Sequence, residues 1–286
     1  MNPMTEPTVG YLEGTGGVRV FYRAWETSEP TGSVLFVHGL GEHGGRYDRL
    51  AEVVGALGLD LYAIDLRGHG RSQGKRGHVP DFTCYLRDLD RLIRRAGRET
   101  AGRTTFLVGH SLGGLVVGRY AEAFAPDGLR GVVFVAPFVE TEMSVPGWKR
   151  SLGAATDRMV PALTVDNGLN VEELFRMESD QRVYTEDPRV HRRISARLWG
   201  EMQRASSRLL ADAHRLRVPV LLQLAGSDTV VSNSAARDFG ARLASRPEVI
   251  EYEDAYHALY FDPRAEEGLT DLQRWLEQRM TDGTAN

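Results

Sequence analysis

A serine flanked by glycines is the first place where the sequence could perform chemistry. Residues 109–113 read Gly-His-Ser-Leu-Gly, with Ser111 at the centre, between an apolar run at residues 104–108 and a helical pattern at residues 112–125. A strand–turn–helix of this kind presents the serine hydroxyl above the edge of a sheet, and small residues on either side let the two backbones approach. The pattern therefore predicts that Ser111 is a nucleophile.

A histidine must accept the proton of that serine, because a hydroxyl alone is a poor nucleophile. His257 follows a predicted last strand at residues 248–253 and precedes the final helix, where the histidine belongs in the chain order serine, acid, histidine. His110 is tied to the serine turn. The other histidines lie in loops or charged helical stretches, where such a residue is usually on the surface. They are His38, His43, His69, His78, His191 and His214.

An acid must orient the imidazole and stabilise its charged form. Asp228 follows an apolar run at residues 218–224, so it stands at the carboxyl end of a predicted strand and upstream of the histidine. Two other acids compete for this role: Asp254, which is three residues before His257, and Glu140, which follows an earlier strand. An aspartate that only caps a turn would also fit the position of Asp228. We expect Asp228 to be the acid.

Two backbone amides must stabilise the negative charge that develops on an attacked carbonyl oxygen. The residue after the nucleophile, Leu112, supplies one, and the glycine-rich segment at residues 37–43 supplies the other from Leu40. The Gly-Leu-Gly in that segment lacks the third glycine of a dinucleotide-binding fingerprint. Because the sequence also has no histidine and cysteine cluster with metal-ligand spacing, we expect neither a cofactor nor a metal.

The elements around these residues indicate an α/β fold. An alternating pair at residues 9–13 and 18–24 predicts an edge hairpin. Short apolar runs that are typical of buried parallel strands occur at residues 33–37, 60–64, 104–108, 131–135 and 218–224. Helical patterns alternate with them at residues 46–57, 82–98, 112–125, 234–244 and 268–280. We expect a mostly parallel eight-stranded sheet flanked by helices.

This alternation stops between about residues 140 and 216, where we find no convincing strand. Trp148, Leu152, Ala155 and Met159 have helical spacing, as do Ile194, Leu198, Met202, Ala205 and Leu209. We interpret residues 140–216 as a helical cap inserted between two parts of the core, residues 1–139 and 217–286. The alternative is a pair of ordinary packing helices.

Bulk composition excludes several function classes. The 286 residues are 42% hydrophobic and 26% charged, with a formal charge of −4, so no basic excess draws the chain to nucleic acid. The single cysteine permits no intrachain disulfide. The first residues have no basic or apolar region of a secretory signal, and no apolar run has the length of a membrane span. We therefore expect a cytoplasmic protein.

Several motifs together resemble the monoacylglycerol lipase family and its lysophospholipase-like relatives. They are His-Gly-Leu-Gly-Glu-His at residues 38–43 with Arg46 and Tyr47, Asp-Leu-Arg-Gly-His-Gly-Arg-Ser at residues 65–72, Gly-Lys-Arg-Gly-His at residues 74–78, the serine motif, and Tyr256 with His257. The resemblance implies an α/β-hydrolase whose helical cap admits a single acyl chain. It supports Ser111, Asp228 and His257 as the catalytic residues, and the amides of Leu40 and Leu112 as the oxyanion hole.

The same resemblance implies that Glu42 and Arg46 line the glycerol end of the pocket, although a structural ion pair explains them equally well. Three positions depart from the family. Leu112 stands where relatives often have methionine, Ala258 replaces a glutamate of many bacterial members, and Tyr260 replaces a second histidine of animal members. These three positions lie near the predicted site.

We thus expect a serine ester hydrolase that cleaves lipid monoesters through an acyl-enzyme, with a small lipid ester as its partner. The alternatives within this class are a lysophospholipase and a small-ester carboxylesterase. An epoxide hydrolase or dehalogenase is disfavoured, because those enzymes have an aspartate where Ser111 stands. A non-catalytic member of the fold that only binds a ligand is the alternative of another class. The arginine-rich cap also permits transient contact with a membrane surface.

Overall fold

The computed structural model describes residues 6–99, 104–124, 128–142 and 156–281. Its strands are β1 (Thr8–Glu13), β2 (Arg19–Trp25), β3 (Gly32–Val37), β4 (Leu59–Ile64), β5 (Thr104–His110), β6 (Leu129–Val135), β7 (Thr164–Asp166), β8 (Arg193–Ser195), β9 (Val220–Ala225) and β10 (Glu248–Tyr252). Its helices are α1 (Asp48–Ala56), α2 (Thr83–Glu99), α3 (Leu112–Phe124), α4 (Val171–Leu174), α5 (Glu178–Glu186), α6 (Ala196–Asp212), α7 (Asn233–Ala241) and α8 (Ala265–Thr281).

An eight-stranded sheet forms the core, in the order β1-β2-β4-β3-β5-β6-β9-β10. β2 pairs with β1 and β4 in antiparallel fashion, and the pairs from β4 to β10 are parallel. Every residue of β3, β4 and β9 is buried, as strands covered by helices on both faces require. The predicted α/β class and the mostly parallel sheet are confirmed.

The parallel register brings several loops to one edge of the sheet. Val37, at the end of β3, is paired with Gly109 of β5, and Val135, at the end of β6, is paired with His110. Because parallel strands end at the same edge, the loops after β3, β5, β9 and β10 emerge side by side. Those are the loops that carry the candidate residues of the sequence.

The chain between β6 and β9, residues 136–219, leaves the sheet and is called the inserted segment below. Its described part contains α4, α5, α6 and the antiparallel pair β7–β8. The expectation that this region has no strand is therefore wrong. Strands of three residues are too short to produce a recognisable alternation in the sequence.

Helix α6 joins the inserted segment to the core. Leu198, Met202, Ala205 and Leu209 are buried along one side of it, as their spacing predicts. Helix α6 packs on α3, where a Cβ atom added to Gly118 would lie 2.8 Å from the Leu209 side chain. Trp148, Leu152 and Ala155, which were expected to form a second stripe, lie outside the described residues. In the described ranges, none of the helices combines the length and apolar composition needed to cross a bilayer.

Candidate active site

The turn that carries Ser111 is strained and depends on its glycines. Ser111 has a φ of 52°, in the left-handed region that is costly for a residue with a side chain. A Cβ atom on Gly113 would overlap the carbonyl oxygen of Val37, and one on Gly109 would overlap that of Gly113. The turn is held by the main chain of Ser111, whose N–H donates to Val135 and whose carbonyl accepts from Phe138, both at 3.0 Å. The close approach of strand and helix predicted from the flanking glycines is confirmed.

Asp228 contacts His257 directly. The Oδ2 atom of Asp228 lies 2.7 Å from Nδ1 of His257, and both side chains are almost fully buried. The other carboxylate oxygen, Oδ1, accepts the main-chain N–H groups of Val230 and Val231 at 2.8 and 3.0 Å. Burial by itself raises the pKa of the Asp228 carboxyl, but attraction to His257 and these hydrogen bonds outweigh it, so the pKa is lowered. The carboxylate is therefore ionised at neutral pH and holds the imidazole by one nitrogen.

The two competing acids do not occupy this place. The side chains of Asp254 and Glu140 are exposed. Their main-chain carbonyls accept hydrogen bonds from Arg176 and from the N–H of Ser232, respectively. Of the three acids considered from the sequence, the structure brings Asp228 to the histidine.

The loop that carries His257 is fastened on several sides. Ser227 donates its N–H to the carbonyl of Ala255, and Ala258 donates to the carbonyl of Leu174 in the inserted segment, both at 3.0 Å. Tyr260 points into the core, where its hydroxyl donates to Oε1 of Gln223 at 2.7 Å. Burial raises the pKa of Tyr260 well above its ordinary value, so its hydroxyl remains a donor. Tyr260, which stands where animal relatives have a second histidine, thus ties the loop of His257 to Gln223 of β9.

The candidate oxyanion residues lie on both sides of Ser111. Leu112 is the first residue of α3, and Leu40 lies in the loop after β3. A Cβ atom on Gly39 would lie 2.9 Å from Oε1 of Glu42 and 3.3 Å from Cβ of Ser111, so the absence of a side chain at Gly39 eases the close approach of this loop to Ser111. The structure therefore brings Leu40 and Leu112 to the serine, as the sequence predicts, and their role as amide donors stays a prediction.

Glu42 is a buried acceptor for the loop after β3. Its Oε1 atom accepts from the N–H of Gly39 at 2.7 Å and from the hydroxyl of Tyr47 at 2.9 Å, and it lies 3.0 Å from Nδ1 of His110. Burial alone raises the pKa of Glu42, but the hydrogen bond and charge of His110, together with Arg46, lower it far below its ordinary range. The carboxylate is ionised and is occupied by protein donors.

Arg46 lies behind Glu42. Its Nε atom is 3.8 Å from Oε2 of Glu42, and its guanidinium packs over the rings of three aromatic residues. They are Phe175, Tyr184 and Phe261, with guanidinium–ring distances between 4.7 and 5.2 Å. Of the two sequence interpretations of this pair, the ion pair is present in the structure, and Glu42 is the member that lines the cavity described next.

One cavity is lined by Ser111, His257, Leu40 and Glu42 among the candidate residues. Its core side is lined by Gly39, Leu40, Glu42, His110, Ser111, His257 and Ala258, and its other side by Leu169, Leu174, Phe175 and Tyr184 of the inserted segment. The core side carries the polar and titratable groups, whereas the inserted segment contributes mainly apolar surface. Polar groups beside Ser111 and apolar side chains of the inserted segment therefore face each other across this cavity.

Several histidines interpreted as surface residues are buried instead. His38, His43 and His69 are fully buried, and His191 is partly buried in an irregular stretch, where its Nε2 lies 3.1 Å from the carbonyl oxygen of Gly68. His38 accepts the N–H of Leu66 at 3.0 Å, and His43 pairs with Asp187 of the inserted segment at 2.8 Å. Their partners come from distant parts of the chain, which composition and spacing do not reveal. For His110, which lines the cavity, the one signal in the sequence was its position directly before Ser111.

The chain is similar to several known proteins over most of its length. A family model described as serine aminopeptidase, S33, matches residues 28–264. The chain is similar to a monoacylglycerol lipase of Mycolicibacterium smegmatis, with 29% identity over 270 residues that cover 93% of this chain and 96% of the relative. A monoglyceride lipase of Homo sapiens is 29% identical over 283 residues, covering 96% and 93% of the two chains. The solved monoacylglycerol lipase of Paleococcus ferrophilus superposes with a TM-score of 0.81 at 33% identity, covering 96% of this chain and all of that one.

Proposed function

The chain belongs to the monoacylglycerol lipase-like α/β-hydrolases matched by the serine aminopeptidase S33 model, and we propose that it cleaves lipid monoesters with Ser111, His257 and Asp228 as a catalytic triad. The observation that carries the proposal is the Asp228–His257 hydrogen bond of 2.7 Å at a cavity whose lining includes both the histidine and the strained serine. Family membership makes the chain a carboxylic ester hydrolase. The triad and the substrate are the proposal.

The reaction proceeds in two halves. His257 takes the proton of Ser111 through Nε2 as the serine oxygen attacks the ester carbonyl, and Asp228 stabilises the imidazolium through Nδ1. The imidazolium then gives its proton to the departing alcohol, which leaves an acyl-serine ester. Water loses a proton to His257 as it attacks that ester, and the fatty acid leaves while the proton returns to Ser111.

The negative charge on the tetrahedral carbonyl oxygen is held by the main-chain N–H groups of Leu40 and Leu112. The position of Leu112 at the first turn of α3 supports this role, because the partial positive charge of a helix N-terminus adds to its hydrogen bond. The position of Leu40 is supported by the glycines on either side, since Gly39 permits close approach to Ser111 and Gly41 has a φ of 84°.

A single acyl chain fits the division of the cavity into a polar and an apolar side. The apolar side chains of Leu169, Leu174 and Phe175 contact the chain, and each methylene removed from water contributes about 0.8 kcal/mol. The alcohol group lies at the polar end beside Glu42. Arg46 acts there through Glu42, whose carboxylate it faces at 3.8 Å. Acyl length then dominates affinity, and the alcohol is recognised by few groups.

Transient contact with a lipid surface accompanies this function. Met159, Val160, Leu163 and Val165, all in the inserted segment, are 52–80% exposed. Because the substrate resides in lipid, an apolar surface on the segment that lines the cavity shortens its path. Leu163→Asp should reduce cosedimentation with monoacylglycerol-containing phosphatidylcholine vesicles, whereas Val9→Asp, at an exposed apolar residue of β1, should not. Equal binding of both variants would contradict this contact.

A substrate panel tests the function. Monoacylglycerols of increasing chain length, lysophospholipids, soluble short-chain esters and aminoacyl anilides are compared by kcat/KM. The proposal expects the highest values for long-chain monoacylglycerols and none above background for the anilides. A preference for lysophospholipids or for short soluble esters would support the corresponding alternative enzyme. Absence of turnover on every ester would instead favour a ligand-binding protein.

A further inference from the structure

His110 sits between the three loops that form the site. It precedes Ser111 in the chain, and its imidazole is 8% exposed. On one side its Nδ1 atom lies 3.0 Å from Oε1 of Glu42, in the loop after β3. On the other side its Nε2 atom lies 3.1 Å from the main-chain carbonyl oxygen of His257. One side chain thus connects the loop that carries Leu40, the turn that carries Ser111 and the loop that carries His257.

Both neighbours of this imidazole are acceptors. A carbonyl oxygen has no proton to donate, and Oε1 of Glu42 acts as an acceptor because the main-chain N–H of Gly39 donates to it at 2.7 Å. A neutral imidazole carries a proton on only one ring nitrogen, so its second nitrogen would direct a lone pair at a buried acceptor. Both hydrogen bonds form together only when both ring nitrogens are protonated.

Tyr47 offers the one competing arrangement. Its hydroxyl lies 3.1 Å from Nδ1 of His110 and 2.9 Å from Oε1 of Glu42, and burial raises its pKa well above the ordinary value, so it has a single proton to donate. If the hydroxyl donated this proton to an unprotonated Nδ1, the Nδ1 lone pair would have a partner. Oε1 of Glu42 would then face a nitrogen without a proton at 3.0 Å. The carboxylate is the stronger acceptor of the hydroxyl proton, which favours donation to Glu42.

We propose that His110 is a positioning residue that acts as an imidazolium, donating one hydrogen bond to Glu42 and one to the carbonyl of His257. It thereby fixes the histidine loop to the nucleophile turn and to the loop of Leu40. Its partners account for the charge: the cation is paired with the Glu42 carboxylate, which Arg46 also faces. This inference rests on the proposed function for its effect on catalysis, but not for the protonation itself.

The groups around His110 determine how pH acts on it. From the connection between β3 and α1 it faces Glu42 and Tyr47, with His38 and Arg46 close to the same carboxylate. From the loop after β10 it faces His257, whose ring centroid lies 5.0 Å from its own and which is bound to Asp228. As pH rises, loss of either His110 proton removes one of the two hydrogen bonds, and activity falls on the alkaline side.

The direct test is the protonation of His110 in the intact protein. A long-range proton–nitrogen correlation spectrum of protein labelled with ¹⁵N-histidine distinguishes the two neutral tautomers from the imidazolium. The signals of His110 are assigned as those lost in His110→Gln or His110→Asn. We expect protons on both ring nitrogens at pH 7. A neutral tautomer at that pH would overturn the proposal, and this result does not depend on whether the protein hydrolyses esters.

The catalytic consequence is tested with a matched pair of buried histidines. His110→Gln, which can keep only one of the two hydrogen bonds, should lower kcat by about 10–100-fold with little change in KM, because it misplaces the base. It should also remove the alkaline fall in kcat that His110 causes. His69→Gln changes a histidine that binds the carbonyl of Arg67 and should alter neither. Equal loss in both variants, or an unchanged pH profile in His110→Gln, would contradict the positioning role.

Discussion

The loops at the carboxyl edge of the sheet and the inserted segment above them contribute different properties to the same cavity. The sheet edge supplies the strained Ser111, the paired Asp228 and His257, and the buried Glu42. The inserted segment supplies apolar side chains to the opposite side. Strands buried on both faces hold the first set in place.

The inserted segment is attached to the core along residues 187–195. Asp187 binds the buried His43 at 2.8 Å, and the N–H groups of His191 and Ser195 donate to carbonyls in the loops after β3 and β4, also at 2.8 Å. This stretch is therefore fixed to the site, while the lining residues Leu169, Leu174 and Phe175 precede it in the chain. The comparison teaches that the polar groups of the cavity and most of its apolar lining come from separate parts of the chain.

Removal of the Ser111 hydroxyl is the most severe way to probe the sheet edge. Ser111→Ala should abolish ester hydrolysis, with a loss of roughly 10⁶-fold in kcat for a fully triad-dependent enzyme. Its thermal midpoint should stay near that of the wild type. Ser111→Gly should be equally inactive but more stable by about 1 kcal/mol, because glycine adopts the left-handed backbone without strain. Activity comparable to the wild type in either variant would remove Ser111 from its role.

The acid should matter somewhat less than the nucleophile. Asp228→Asn is expected to lower kcat about 10⁴-fold, because an amide facing Nδ1 of His257 favours the wrong tautomer. Asp254→Asn is the matched control, since its side chain is exposed, and should change kcat little. Steady-state kinetics on one soluble ester compares the two. A mild effect of Asp228→Asn together with a large effect of Asp254→Asn would reverse the assignment.

A variant on the other side of the cavity should change selectivity rather than chemistry. Leu169→Ala removes about two to three methylene equivalents from the lining, worth about 2 kcal/mol, so kcat/KM for long-chain monoesters should fall by roughly tenfold or more. Short-chain esters that do not reach Leu169 should be hydrolysed as before. Val183→Ala, at a 64% exposed residue of α5, controls for general effects on the inserted segment. A proportional loss on short and long esters would contradict the division of roles.

Acid should weaken the attachment of the inserted segment, with the smallest effect of the series. Burial, followed by repulsion from Arg76, lowers the pKa of His191 from 6.5 to about 4. Since the folded value lies below the unfolded one, the contribution of His191 to stability is complete above pH 6.5 and is lost as pH falls towards 4. Between pH 6.5 and 4 the thermal midpoint of the wild type should therefore fall more than that of His191→Asn, and the difference between the two decreases should be a few degrees. His214→Asn, at an exposed position, should follow the wild type, and identical slopes in all three proteins would count against the account.

The sheet edge could be predicted from the sequence because its determinants are local. Gly109 and Gly113 are each two residues from Ser111, and the glycines are needed for a contact between adjacent elements. The buried strands are continuous apolar runs, and their order along the chain places Asp228 and His257 at the same edge. The prediction that Asp228 lies at the histidine followed from topology alone.

The remaining features depend on contacts between distant residues. His43 and Asp187 are 144 positions apart. No local sequence pattern indicates that these two residues pair or that His43 is buried. Glu42 collects donors from Gly39, Tyr47 and His110, which only the folded chain brings together. The strands β7 and β8 are three residues each, so pairing with each other, and not intrinsic pattern, defines them.

Covalent labelling of the nucleophile tests the central claim most directly. The intact protein is treated with a fluorophosphonate, which reacts with an activated serine, and the modified peptide is located by mass spectrometry in the wild type, Ser111→Ala and Asp228→Asn. The account predicts a single adduct on Ser111, its absence in Ser111→Ala, and slower formation in Asp228→Asn because the base is no longer oriented. An unmodified Ser111 under conditions that label other serine hydrolases, or an adduct on a different residue, would contradict it.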